Sequence, residues 1–252
     1  MISYCAENSI KLIRISSDII PFASRQDISI DWQSIFLEKL QQVGDKISKT
    51  NLRVSMHPGQ YTVLNSLNQN IVFSAISDIR WHADFLDALN VDASAKIVLH
   101  LGGVYNDKNA SIIRFIKNFD LLPKNAKSRI VLENDEKNYN IKDVLFVSKK
   151  LGIPTVFDAF HHSLNAPEDD KDIMHWITES AKTWTSQDGR QKIHYSQQKI
   201  GAKKGAHSDT IDTKIFMDFY KTISKLNIDI MLEVKDKNIS VLNCMKAIKS
   251  IK

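Results

Sequence analysis

Histidines and carboxylates recur in this 252-residue chain at the ends of short apolar runs. "LRVSMH" ends on His57, "KIVLHLG" carries His100 and "RIVLEN" carries Glu133. "PTVFDAFH" carries Asp158 and His161, "KIHYSQ" carries His194 and "DIMLEVKD" carries Glu233, while His207 follows the His194 run in "GAHSD". Imidazole nitrogens and carboxylate oxygens are what borderline divalent ions bind, and one carboxylate can bridge two ions. Five histidines and three carboxylates exceed the needs of one ion, so the set predicts a cluster of two or three. Taken singly, a strand-end histidine is more often a cap or hydrogen-bonding group than a ligand. Likewise the "VLEND" carboxylate can serve loop amides, and the "VFDAFH" aspartate can cap a following helix. Eight such coincidences at separate run ends are better explained by one site. His82 in "SDIRWHADFL" and His175 in "DIMHWI" lie in helical patterns and read as structural. His161 and His162 are adjacent; in extended chain they point opposite ways, so one of the two is expected to face the site.

The elements that must position these groups are legible from periodicity. Seven β-rich runs, at 12–18, 52–57, 96–102, 129–134, 154–161, 192–197 and 229–236, alternate with helical patterns. In "NIKDVLFVSKKLG", Ile141, Val144, Leu145, Val147 and Leu151 form an apolar stripe and Gly152 marks the stop. In "DTKIFMDFYKTISKLN" the stripe is Ile215, Phe216, Phe219, Tyr220, Ile223 and Leu226. Near-continuous apolar strands between helices predict a parallel sheet covered on both faces. No glycine-rich phosphate loop follows any run, which favours an α/β TIM-type (β/α)8 barrel, residues 1–252 as one domain, over a doubly wound sheet. The C-terminal ends of barrel strands open on one face, where active sites are built. Seven runs are one short of eight, and "MISYCAENSIK" reads as the tail of a helix, so the barrel is expected to lack its first strand.

Composition excludes some classes. No apolar run approaches the roughly 18 residues of a membrane span, and no charged region precedes an apolar core at the N-terminus. Cys5 and Cys244 are the only cysteines and match no zinc spacing; they read as reduced thiols of a cytoplasmic protein. A net charge of +5 suits a polyanionic partner without proving one. Two stretches face such a partner in the predicted barrel. Pro58 and Gly59 turn the chain after His57 and leave Gln60 and Tyr61 to project. "QQKIGAKKGAH" places Lys199, Lys203 and Lys204 in a glycine-bearing loop on the same face, suited to phosphates or simply solvated.

"RISSDIIPFAS", "SMHPGQYTVLNS", "VLHLGGVYNDK", "VLENDEK", "FDAFHHSLN", "KIHYSQQ", "GAHSD" and "MLEVKDKN" together resemble the UV damage endonucleases, whose barrel is related to endonuclease IV and xylose isomerase. The likeness runs from about residue 12 to 238. It implies a (β/α)8 barrel and two or three divalent ions, often manganese, with zinc, cobalt or magnesium compatible. The implied reaction is a nick immediately 5′ of pyrimidine dimers and 6-4 photoproducts in double-stranded DNA, with no obligate protein partner and no membrane. The implied ligands are the eight named above: His57, His100, Glu133, Asp158, His161, His194, His207 and Glu233. Glu133 is the candidate bridge for a water that attacks phosphorus in line, leaving 3′-hydroxyl and 5′-phosphate ends. Lys192 stands where the family carries a lysine close to the metals. Arg25, in "ASR", replaces a histidine expected beside the scissile phosphate; it can contact phosphate but cannot exchange a proton near neutral pH. Gln60 and Tyr61 match the lesion-probing pair, with Asn65 of the same stretch expected on the DNA side. Family members usually begin with a strand before the segment matching "CAENSIK". Three other readings stand beside this one: an endonuclease IV-like enzyme at abasic sites, a two-metal sugar isomerase or epimerase, and a non-catalytic DNA-binding barrel.

Overall fold

Each apolar run folds as a four-residue strand in the computed structural model, which describes residues 1–25, 27, 28 and 30–250. The strands are β1 (Leu12–Ile15), β2 (Arg53–Met56), β3 (Lys96–Leu99), β4 (Ile130–Glu133), β5 (Thr155–Asp158), β6 (Lys192–Tyr195) and β7 (Asp229–Leu232). Helix α1 (Ile2–Glu7) precedes β1, and α2 (Trp32–Lys49), α3 (Gln69–Ala88), α4 (Lys108–Phe119) and α5 (Lys124–Arg129) lie between β1 and β4. Then come α6 (Ile141–Leu151), α7 (Ala159–Leu164), α8 (Ile173–Ala181), α9 (Thr213–Ile223) and α10 (Asn238–Lys249). All neighbouring strands pair in parallel and in chain order, β1 through β7, so the sheet curls into a nearly closed barrel with helices outside. Among the described residues no ladder joins β1 to β7, and a cleft of about 660 Å³ opens between them.

Burial follows the prediction for doubly covered strands. Every residue of β3, β4, β5 and β6 is buried. Val98, Val131 and Val156 pack together inside the barrel, each two residues before His100, Glu133 or Asp158. Outside it, Ile97, Ile130 and Leu132 join Ile79, Leu86 and Val144 in the main core, and Phe157 and Ile193 join Trp176 and Phe216 in a second. The α6 stripe ends as read: Asn140 and Asp143 form a capping box, and Gly152 closes the helix at φ 66°. On α9, Phe216 and Ile223 are buried but Ile215 faces outward, so the predicted stripe was one residue too wide. The strand expected over 154–161 stops at Asp158. Its side chain accepts the His161 amide at 2.6 Å and starts α7 in place of more strand. Among the described residues no helix is long and apolar enough to cross a membrane.

Candidate metal centre

Glu133, the last residue of β4, is fully buried at the centre of the barrel mouth. Its Oε1 accepts from His194 Nδ1 at 2.6 Å, and its Oε2 lies 3.1 Å from His57 Nε2 and 3.5 Å from His100 Nε2. Glu233, one residue past β7, has Oε1 3.0 Å from His194 Nδ1 and Oε2 3.7 Å from His207 Nδ1. His161 Nδ1 lies 3.8 Å from both Glu133 Oε1 and Asp158 Oδ1. Two groups emerge whose ligand atoms all fall within 4.8 Å of one another: His57, His100 and Glu133, and Glu133, Asp158, His194 and Glu233. Glu133 belongs to both.

Hydrogen bonds aim the rings. Burial pushes His57 down to about 4, against the pull of Glu133, so its imidazole is neutral at neutral pH. The Pro58 carbonyl, 3.0 Å from Nδ1, selects the Nδ1–H tautomer, which turns the Nε2 lone pair towards Glu133 Oε2. Two acceptors then face each other, an arrangement that a divalent cation between them relieves. His161 has the same design, with Nδ1 donating to the Asn134 carbonyl at 2.9 Å and Nε2 left for the site. Burial would lower His161, but Asp158, Glu133 and Glu233 lift it to about 9. Asp158 is clamped at its backbone by the Asn134 side chain, at 3.0 and 2.9 Å. Its Oδ2 is buried without a partner, and burial raises the carboxyl to about 6. Burial would also raise Glu133, yet His194 and His100 hold it well below the usual carboxylate range. Three carboxylates in one buried cup require compensating positive charge, and a mixed imidazole–carboxylate set fits ions such as manganese or zinc.

Lys192 lies two residues before His194 on the same inward face, one layer deeper. Its buried Nζ has no hydrogen-bond partner, and burial, with Arg14 and Arg53 nearby, holds the amine well below its ordinary range. Gln60 and Tyr61 project as expected, Tyr61 being 82% exposed. Their turn is braced by Thr62, whose amide donates to the Gly59 carbonyl at 3.0 Å and whose hydroxyl donates to Asp78 of α3 at 2.5 Å. His207 is held by a bridge to Gln198, in a loop that also carries the three lysines. Lys199 pairs with Asp209 at 2.6 Å, Lys204 donates to the Leu164 carbonyl at 3.2 Å, and Lys203 is exposed.

Other residues are placed differently from expectation. Asn65 is a correction: it is fully buried, with Nδ2 donating to the Gly103 carbonyl at 2.7 Å, and it packs where Gly102, at φ 96°, leaves room for its amide. It ties two rim loops together, with its side chain shut away from solvent. Arg25 is paired with Asp27 on an exposed segment outside the cup. His162 sits on α7, not on extended chain; it packs against Phe157 and Trp176, with Nε2 3.3 Å from Asp170. His175 is exposed on α8. His82 is structural but linked to the site: its Nε2 lies 2.9 Å from Ser17 Oγ, which donates to the His57 carbonyl at 2.7 Å. Sequence reasoning missed Ser17, Asn134 and Arg14. Only Arg14, a charge inside an apolar run, left a visible signal.

Known proteins resemble the chain over nearly all of its length. Residues 1–252 match the family described as UV-endonuclease UvdE. The chain is 44% identical to the UV DNA damage endonuclease of Clostridium perfringens (strain 13 / Type A), over 97% of its own length and 60% of that protein's. It is 33% identical to the UV DNA damage endonuclease of Bacillus velezensis, over 100% of its own length and 79% of that protein's. It thus spans less than two thirds of the first relative and more of the second. The crystal structure of SacUVDE superposes with a TM-score of 0.91 at 38% identity, covering 99% of this chain and 83% of that one.

Proposed function

This chain belongs to the UV-endonuclease UvdE family, and we propose that it is a metal-dependent DNA repair endonuclease. Its reaction in this reading is a nick immediately 5′ of UV photoproducts that leaves 3′-hydroxyl and 5′-phosphate ends. The observation that carries the reading is the buried carboxylate Glu133, shared by two ligand groups at the mouth of a barrel of this family. His57, His100 and Glu133 would hold one divalent ion, manganese being the first candidate, and Glu133, Asp158, His194 and Glu233 another, with His161 and His207 beside them. Bound ions would polarise the scissile phosphate and activate the attacking water.

The chain's own residues supply the rest. Glu133 fixes the spacing of the two groups, the Pro58 carbonyl holds the His57 ring in the tautomer that offers a lone pair, and the Asn134 carbonyl orients the His161 ring, whose Nε2 proton a bound ion would displace. Such prior alignment lowers the barrier because little reorganisation remains at the moment of reaction. Lys192, its amine depressed by burial, stands beneath His194 as a base. Tyr61 and Gln60 would enter the space left by a weakly stacked lesion, where flipping costs least. Lys203 and Lys204 would contact phosphates, Lys199 being engaged with Asp209. Arg25 would meet a phosphate by giving up Asp27.

The test compares three end-labelled duplexes, one with a single pyrimidine dimer, one with an abasic site and one undamaged, and maps the cut. Cleavage at the phosphate 5′ of the dimer, with a ligatable 3′-hydroxyl, is the expected result. Cleavage of the abasic duplex alone would overturn the proposal in favour of an endonuclease IV-like activity, and no cleavage with any divalent ion would leave a DNA-binding barrel.

A further inference from the structure

Arg14 lies on β1 opposite Ser55, two residues before His57, and so in the inward layer just below the cup. From there it reaches up into the second ligand group. Its Nη2 donates to Glu233 Oε1 at 2.6 Å and lies 3.2 Å from His194 Nε2. His194 places its Nδ1–H on Glu133 Oε1 at 2.6 Å, which leaves Nε2 as an acceptor for the guanidinium. Arg14 therefore occupies two of the four side chains, Glu133, Asp158, His194 and Glu233, that lie close enough to share an ion. A guanidinium stays charged under all ordinary conditions, so it acts here as a fixed cation among three carboxylates.

Two further features bear on how firmly it is held. Among the described residues its Nε is buried without a hydrogen-bond partner, and the carboxylate and the imidazole are what hold its head group. It also borders the cleft of about 660 Å³ between β1 and β7, which is lined by Leu12, Ile13, Met231 and Leu232. Long cationic side chains lie readily along apolar walls with their heads in water.

We infer that Arg14 is the resident cation of the second ligand group, and that a divalent ion loading this group displaces it from Glu233 and His194. The inference rests on the reading that the cup takes divalent ions. Loading of the second group then breaks the Arg14–Glu233 pair across the cleft, whereas loading of the His57–His100–Glu133 group leaves it intact.

Titration of Mn2+ into the chelator-stripped full chain, followed by calorimetry and by electron paramagnetic resonance of the free ion, tests this. The wild type should bind a tighter and a weaker class of ion. In Arg14→Met the weaker class should tighten about tenfold or more, the scale of one lost charge-assisted competitor, with the tighter class unchanged. Weaker or unaltered binding in the variant, with the wild type still taking up two classes, would overturn the inference and leave the metal reading intact. No Mn2+ uptake by the wild type would overturn both. A wild-type measurement avoids any folding defect of the variant: with 15N-labelled arginine and Zn2+, the Arg14 Nε–H resonance should shift in step with the second class. A resonance that stays fixed to saturation contradicts the displacement.

Discussion

β3, β4, β5 and β6 are buried along their whole length and pair on both edges, whereas β1 and β7 are partly exposed and, among the described residues, pair on one edge only. On the closed side the ligands are positioned by backbone. Continuous parallel ladders fix where Glu133 and Asp158 begin, and Asn134 holds both polar atoms of the Asp158 peptide group. On the open side an apolar cleft separates the strands, and the Arg14–Glu233 ion pair spans it. Ladder hydrogen bonds hold Cα positions regardless of what the site contains. An ion pair holds only while its charges have no better partner. On the inference drawn for Arg14, the open side is the half of the site whose geometry responds to occupancy.

Substitutions on the two sides should separate them. The largest contrast is between the two glutamates. Glu133→Gln should reduce nicking to background and lower the manganese content, because it removes a ligand from both groups. Glu233→Gln should retain measurable nicking and most of the metal, since it removes a ligand from one. Equal losses in nicking assays and metal analysis would show that the two sides act as one. Next come the strands themselves. Leu132→Ala in β4 should cost about 2–5 kcal/mol in urea unfolding, as buried leucines do, and Met231→Ala in β7 about 1 kcal/mol, as for a partly exposed site. Similar costs would mean that the open side is packed as tightly as the closed one.

Smaller effects belong to the rim. Replacing both Gln60 and Tyr61 by Ala should weaken binding to dimer-containing duplex about ten- to a hundredfold, the worth of roughly one stacked base. Affinity for undamaged duplex and metal content should barely change. Matching losses on both duplexes would show that the pair supports its turn without reading the lesion. Smallest is the loop after β6. Replacing both Lys203 and Lys204 by Ala should lower the salt dependence of binding by about one contact each, measured as the slope of affinity against salt concentration. An unaltered slope would mark the loop as merely solvated.

How much of this was legible in the sequence depended on which interaction placed each residue. The convergence of strand-end histidines and carboxylates could be read because strand ends and barrel topology are local and periodic properties: a run such as "RIVLEN" announces both its burial and its final carboxylate. Residues placed by partners distant in sequence could not be read. Asn65 looked like part of an exposed stretch, but its amide is taken up by Gly103, 38 positions away. His82 and Ser17 join through a hydrogen bond between residues 65 apart, and Arg14 meets Glu233 across 219. The reading of the 154–161 run failed for a local reason. Asp158 is a good helix cap, and capping outweighed the β pattern of the residues after it.

In the proposed function Glu133 joins two ion sites that together cut UV-damaged DNA. The decisive experiment strips the protein with chelator, restores Mn2+ in steps, and measures bound ions per chain alongside the nicking rate on irradiated duplex. The stripped protein should not nick, and the rate should climb to its maximum only as the second ion is taken up. Full nicking with one ion bound, or with none, would contradict that function.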